Sequence, residues 1–143
     1  MSWEVIKANR MAEGSPWVSI GVHRRGNYLQ AKITMSKSVV KHLGVKSGEK
    51  VMISKGIDEH DGWIQIERAP AEFTDGMMLT DRKMAVGNLS FRFAAGHFGL
   101  QHHKTVKINE NDASLCLTKM PIVRALKRVV QFEIPESIRE DKR

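Results

Sequence analysis

The run Tyr28-Leu29-Gln30-Ala31-Lys32-Ile33-Thr34-Met35 passes directly into Ser36-Lys37-Ser38-Val39-Val40-Lys41-His42-Leu43-Gly44, and the change of period at residue 36 sets the fold. In the first run Tyr28, Gln30, Lys32 and Thr34 fall on one side, and Leu29, Ala31, Ile33 and Met35 on the other. Alternation with period two is the pattern of a half-buried strand, here with one wet, basic face. In the second run Val39, Val40 and Leu43 recur at helical spacing. Ser36 stands where an N-cap belongs and Gly44 where a helix stops, so one to two helical turns are expected over 37–44.

Reading outward, residues 17–22 alternate as a strand, and Arg24-Arg25-Gly26-Asn27 is a turn in which Gly and Asn suit positive φ. Downstream, 46–49 is a turn, 50–54 a strand, 58–62 a hairpin tip and 63–68 its return strand, ended by Pro70. Residues 71–83 connect with few packing signals. Strands are then expected over 89–93 and 104–108, with a short turn or helical stub at 94–99 between them. A tip at 109–112 and a return strand at 113–118 follow. The order strand, short helix, strand, tip, strand thus occurs twice, with 50–53 opposite 105–108 and 63–66 opposite 114–117. The expected organisation is an arm at 1–16, a basic repeat at 17–70, a connector at 71–88, a degenerate second repeat at 89–120 and a basic helix or strand tail at 121–143. Neither half is large enough to bury a core alone, so the two are expected to pack together.

The chain has 143 residues and 41% hydrophobic content, enough for one globular core. No apolar run approaches the length of a membrane helix, and no apolar stretch follows Met1, so neither a membrane association nor a secretory signal is expected. A single cysteine excludes an intrachain disulfide framework and a cysteine-based zinc finger. The expected setting is cytoplasmic.

Charge is localised. Arg24, Arg25, Lys32, Lys37, Lys41, Lys46, Lys50 and Lys55 share the window 23–55 with one acid, Glu49, and this window carries the whole net charge of +7. A concentrated positive field favours a polyanion; a solvated lysine face is the plain alternative. A second basic patch, Arg124, Lys127 and Arg128, has the three- and four-residue spacing of one helical face. Tyr28 is the only aromatic inside the basic window, which argues against a single-strand stacking platform. Trp17 and Trp63 read as core.

No catalytic constellation is legible. His102-His103 point to opposite faces of any strand, and His97 lacks a carboxylate or cysteine at a metal-binding spacing. Asp58, Glu59 and Asp61 read as a solvated tip, and Cys116 as a buried, inert thiol in a strand. No phosphate-binding loop or dinucleotide fingerprint occurs. No enzyme activity, metal or cofactor is expected.

The segment 26–51, and above all Leu43-Gly44-Val45-Lys46-Ser47-Gly48-Glu49-Lys50-Val51, resembles the AbrB/SpoVT group of swapped-hairpin DNA-binding domains. The likeness covers some 40 residues, departs at Met35-Ser36 where the family has Ile-Pro, and extends only loosely to the second half. The resemblance implies a mainly β fold with short helices, a small swapped-hairpin barrel built from two repeats in one chain, as in tandem MraZ-type regulators. It also implies double-stranded DNA as the partner and a regulator of transcription, bacterial or phage, with nucleoid association. Carried onto this sequence, the DNA-contacting residues are Arg24, Arg25 and Lys32, with Lys37, Lys41 and Lys46 on phosphates and Ser36 with the helix start helping to hold one. The competing expectation is an interaction module, antitoxin-like or an adaptor, that docks an acidic protein through Met77-Met78-Leu79 or the 119–128 tail. Self-association through an edge strand or through 129–140 would give a homodimer.

Overall fold

The first hairpin is built as its alternation demands. In β1 (Trp17–Arg25) Val18, Ile20 and Val22 are buried, and in β2 (Tyr28–Met35) Ala31, Ile33 and Met35 are. The intervening residues face the other way. Arg25 pairs with Tyr28, leaving Gly26-Asn27 as a two-residue loop. Gly26 has φ of 61° and Asn27 does not share the positive φ expected of it. Glycine at the first loop position is the requirement of a II′ turn, whose twist matches the flanking strands.

The computed structural model describes residues 2–3, 16–70, 72–82, 85–100, 105–109, 115–122 and 125–138. After β2 come α1 (Lys37–Leu43), β3 (Lys50–Lys55), β4 (Trp63–Arg68), β5 (Met77–Met78), β6 (Thr80–Arg82), β7 (Ala85–Ala94), β8 (Thr105–Asn109), β9 (Leu115–Ile122) and β10 (Ala125–Glu133). Short 3-10 turns occupy Asp58–His60, Ala95–Phe98 and Glu136–Ile138. The fold is mainly β with short helices. Its strands form two antiparallel five-stranded sheets, sheet A in the order β6-β7-β2-β1-β8 and sheet B in the order β5-β3-β4-β10-β9. The inner sides share one core: Ile20, Ile33 and Phe91 come from sheet A, and Ile64, Ile66 and Phe132 from sheet B. Val39 and Leu43 of α1 join them.

The pairing interleaves the two halves of the chain. β1 bonds to β2 on one side and to β8 on the other. β6 bonds to β7, while β5, one residue before it, bonds to β3. Val18↔Ile108 and Ser19↔Lys107 thus tie β1 to the second half, as Met77↔Val51 and Met78↔Lys50 tie β5 to the first. Both short helical segments end alike. Gly44 (φ 69°) and Gly99 (φ 63°) are left-handed, and Val45 and Leu100, buried beyond them, donate back to Val40 O at 3.5 Å and Ala95 O at 3.2 Å. This is the Schellman closure, in which a left-handed glycine satisfies the last carbonyls.

Several expectations are corrected. The 71–83 segment is not a bare connector: it supplies β5 and β6, Leu79 is buried and Met77 packs on the core. β7 begins at Ala85 inside the expected connector. β8 and β9 do not form a hairpin, because β8 closes the edge of sheet A and β9 that of sheet B; the expected tip beyond Asn109 lies outside the described residues. The helical turn over 121–128 is absent, since Ala125 pairs with Ile122 and Leu126 with Pro121 in an antiparallel ladder. β10 is no free pairing edge, being bonded to β4 and β9. Trp17, Trp63 and Cys116 are half-buried rather than core. Both tryptophans sit at strand positions that alternate away from the buried side. Most of the expected arm lies outside the described residues, as do His102 and His103. Among the described residues, no helix is long and apolar enough to cross a membrane.

Two substitutions probe this framework. Gly44→Ala meets no atom within 4 Å, so its cost is conformational alone, about 1–2 kcal/mol for a side chain in the left-handed region. Phe132→Ala empties the centre of the core, and large-to-small changes of this kind cost about 3–5 kcal/mol. Urea midpoints at constant m-value should rank wild type above Gly44→Ala and Gly44→Ala above Phe132→Ala.

Candidate nucleic-acid interface

The outer side of sheet A is made by the strand positions that alternate away from the core. Row by row the ladders place Lys107, Ser19, Thr34 and Ser90 side by side, then Thr105, Gly21, Lys32 and Arg92, then His23, Gln30 and Ala94, and finally Arg25 with Tyr28. β1, β2, β7 and β8 contain no Asp or Glu at all. Their basic residues, apart from Arg24 at the tip, lie on this one face: Arg25, Lys32, Arg92 and Lys107. Lys32 and Arg92 are direct cross-strand partners. Like charges directly opposite on neighbouring strands repel, each pair costing a few tenths to about 1 kcal/mol. Cations gathered from four adjacent strands that contain no Asp or Glu favour an external anion.

Local packing shapes the face. Gly21 lies opposite Lys32, and a Cβ there would come within 2.8 Å of Thr105 Oγ1 and 2.9 Å of His23 Nε2. His23 and Thr105 therefore close over the glycine. The Lys107 ammonium stands 4.6 Å from the centroid of the Trp17 ring. A cation over an indole face keeps its charge while its stem is held against apolar surface. At the hairpin tip Arg24, Arg25 and Tyr28 are exposed, Tyr28 by 56%. Consecutive strand residues alternate, so Arg24 and Arg25 straddle the hairpin.

The basic window of the sequence does not form one patch. β2 is eight residues long, so the tip arginines are separated from α1 by roughly 25 Å at about 3.3 Å per residue. Lys32 lies between them. Lys37 and Lys41 are exposed on α1, at the far end. Lys37 donates its amide to Asn88 Oδ1 at 3.1 Å, and its side-chain stem lies against Gly87 of β7. Lys46 follows the helix beside an acid: its amide donates to Glu49 Oε1 at 2.8 Å, and Arg68 Nη2 donates to Glu49 Oε2 at 2.9 Å. Lys50 Nζ donates to the Thr74 carbonyl at 3.3 Å. The Lys46–Lys50 end is thus partly neutralised within the protein.

Ser36 does not hold the helix start open for a phosphate. It occupies the N-cap position without capping. It is buried, and its hydroxyl accepts the Trp17 amide at 3.1 Å. The backbone register of β1 against β2 demands that bond more strongly than the seven-residue helix demands a cap. The second basic patch is dispersed: Arg128 is exposed on β10 opposite Lys119, Lys127 is the adjacent position of the same strand, and Arg124 lies outside the described residues. Strand alternation separates what helical spacing would have joined.

Arg92 and Lys107 were not singled out by the sequence. Their parity within each strand marks them as outward. Which strands lie beside β2 is a matter of topology that no local pattern announces.

No family model, curated protein or solved structure matches the chain.

The Lys32–Arg92 pair gives a test with opposite signs. Arg92→Glu replaces a repulsive cross-strand pair with an attractive one and should raise stability by about 0.2–1 kcal/mol in urea denaturation. The same change places a carboxylate opposite Lys32 among the cations of these strands. It should weaken any polyanion, heparin included, more than Arg92→Ala does.

Proposed function

We propose that this chain binds duplex DNA with the outer face of sheet A and the β1–β2 tip. The observation that carries the reading is that four adjacent strands, none containing Asp or Glu, set Arg25, Lys32, Arg92 and Lys107 on one side, with Lys32 opposite Arg92. On this reading Lys32, Arg92 and Lys107 neutralise phosphates and fix the protein on the duplex. Arg24 and Arg25, at an exposed two-residue turn, reach into a groove, where a guanidinium pairs with base edges or sits in a narrow minor groove. Lys37 and Lys41 extend the phosphate track at the far end of β2, and Lys46 contributes least because Glu49 is beside it. The resemblance of 26–51 to the AbrB/SpoVT group points the same way, and transcriptional regulation is the role such binding would serve.

A second reading rests on a different observation. Met78, on the edge strand β5, is 56% exposed and Phe73 nearby is 39% exposed. Apolar side chains beside unpaired strand edges suit a protein partner, and an acidic one would be drawn to the basic face.

Fluorescence anisotropy with a random duplex pool separates the two. A contact with roughly four to six phosphates predicts a loss of about 10²–10³-fold in affinity between 50 and 200 mM salt. Arg24→Ala/Arg25→Ala should lose at least about tenfold more if the tip pairs with base edges. Absence of binding at the lower salt would overturn the DNA reading and leave the basic face to a protein partner.

A further inference from the structure

The outer face of sheet A is open at one end and closed at the other. Thr34 and Ser90, on the outward parity of β2 and β7, are 3% and 2% exposed, and Thr80 Oγ1 donates to the Ser90 carbonyl at 3.3 Å. At the opposite end Arg24, Arg25, Gly26, Asn27 and Tyr28 are consecutive exposed residues. None of them is acidic. A Cβ on Gly26 would meet no atom within 4 Å. Leu29, opposite Arg24, still packs against the core. Past that row the hairpin continues through Arg25↔Tyr28 into its two-residue turn, which carries the apex roughly 7 Å outward at about 3.3 Å per residue.

Building on the duplex-DNA reading, on which this step rests, we infer that the β1–β2 tip enters the major groove and reads guanine there through Arg24 and Arg25. Width decides the groove. Two paired strands lie about 4.8 Å apart from axis to axis, before their side chains are added. A minor groove of about 6 Å does not admit such a ribbon, whereas a major groove about 12 Å wide and 8.5 Å deep does. The projection of the apex is close to that depth. Successive strand residues point to opposite faces, so the two guanidinium groups leave from opposite sides of the ribbon. A narrow minor groove would take one of them and exclude the other. The major groove takes the ribbon and turns both toward base edges. Donor chemistry decides the base. A guanidinium only donates hydrogen bonds, and guanine alone presents two adjacent acceptors, O6 and N7, on its major-groove edge. Adenine and thymine present one acceptor each there, and cytosine a donor.

The test alters the DNA and leaves the protein intact. A duplex is selected on the full chain from a random pool. It is then remade with 7-deazaguanine, which lacks N7, or with inosine, which lacks the minor-groove N2 amine, in place of guanine. Anisotropy should show the 7-deazaguanine duplex bound at least about fivefold more weakly than the parent, and the inosine duplex within about twofold of it. Arg24→Ala/Arg25→Ala, at exposed positions, should keep the thermal midpoint and bind the parent and 7-deazaguanine duplexes equally. Lys107→Ala, which removes a phosphate contact on this reading, should weaken both by the same factor. Three results would each overturn the inference while salt-dependent binding of the random pool leaves the DNA reading standing. They are a loss with inosine but not with 7-deazaguanine, a loss with neither, and a selection that enriches no guanine-containing site. Absence of any duplex binding at about 50 mM salt overturns both.

Discussion

The ladder between β2 and β7 is the constraint on which the rest of the molecule depends. It runs from Gln30↔Ala94 to Met35↔Leu89 and joins the first half of the chain to the second. Without it the β1–β2 hairpin would be held to the second half by the β1–β8 ladder alone, and a two-stranded hairpin by itself is marginal in water at best. With it, Ile33 and Phe91 are paired and buried at the centre of sheet A. The cross-half pairings β1–β8 and β3–β5 then place both halves around one core. Such pairing is expensive in loop-closure entropy, because β2 and β7 are separated by about fifty residues of chain. Burial of side chains from both sheets must offset that cost, which explains why the inner face admits almost nothing but aliphatic and aromatic residues.

The same ladder determines the charge of the outer face. Pairing Ile33 with Phe91 inward forces Lys32 and Arg92 together outward, since register and parity cannot be chosen separately. A cross-strand repulsion of at most about 1 kcal/mol is small against the burial of a single large side chain, worth about 1.5–3 kcal/mol. The fold therefore tolerates the pair without needing it. An acidic residue at either position would relieve the repulsion at no cost to the core, and neither position has one.

Local reading recovered the elements whose pattern is local. β2 and β4 begin and end where period two predicts, α1 stops at Gly44 as its sequence suggests, and the 58–62 tip is a turn. Reading failed where pairing partners decide the outcome. Met77-Met78 is too short to register as a strand, yet it is one because β3 offers an edge. Residues 121–122 and 125–128 share helical charge spacing and are nevertheless strand, because β9 and β10 pair with each other there. The basic window misled in a related way. Contiguity along the chain placed Arg24 and Lys46 together, whereas an eight-residue strand and a helix hold them apart. Arg92, distant in sequence, is the direct neighbour of Lys32.

The two outer faces show how interleaved sheets divide labour. Every strand commits one parity to the shared core and turns the other outward, where Thr34, Ser90 and Glu67 are buried all the same. In sheet A the free parity of β1, β2, β7 and β8 carries cations and no carboxylate. In sheet B the outer parity of β4 and β10 carries the neutral amide pair Gln65–Gln131, together with Glu67, which is buried, and Glu133, which is exposed. Long-range attraction of a polyanion depends on summed charge over many residues, which the first face provides. Because the core screens one face from the other, either surface can change its residues without altering the register that both share.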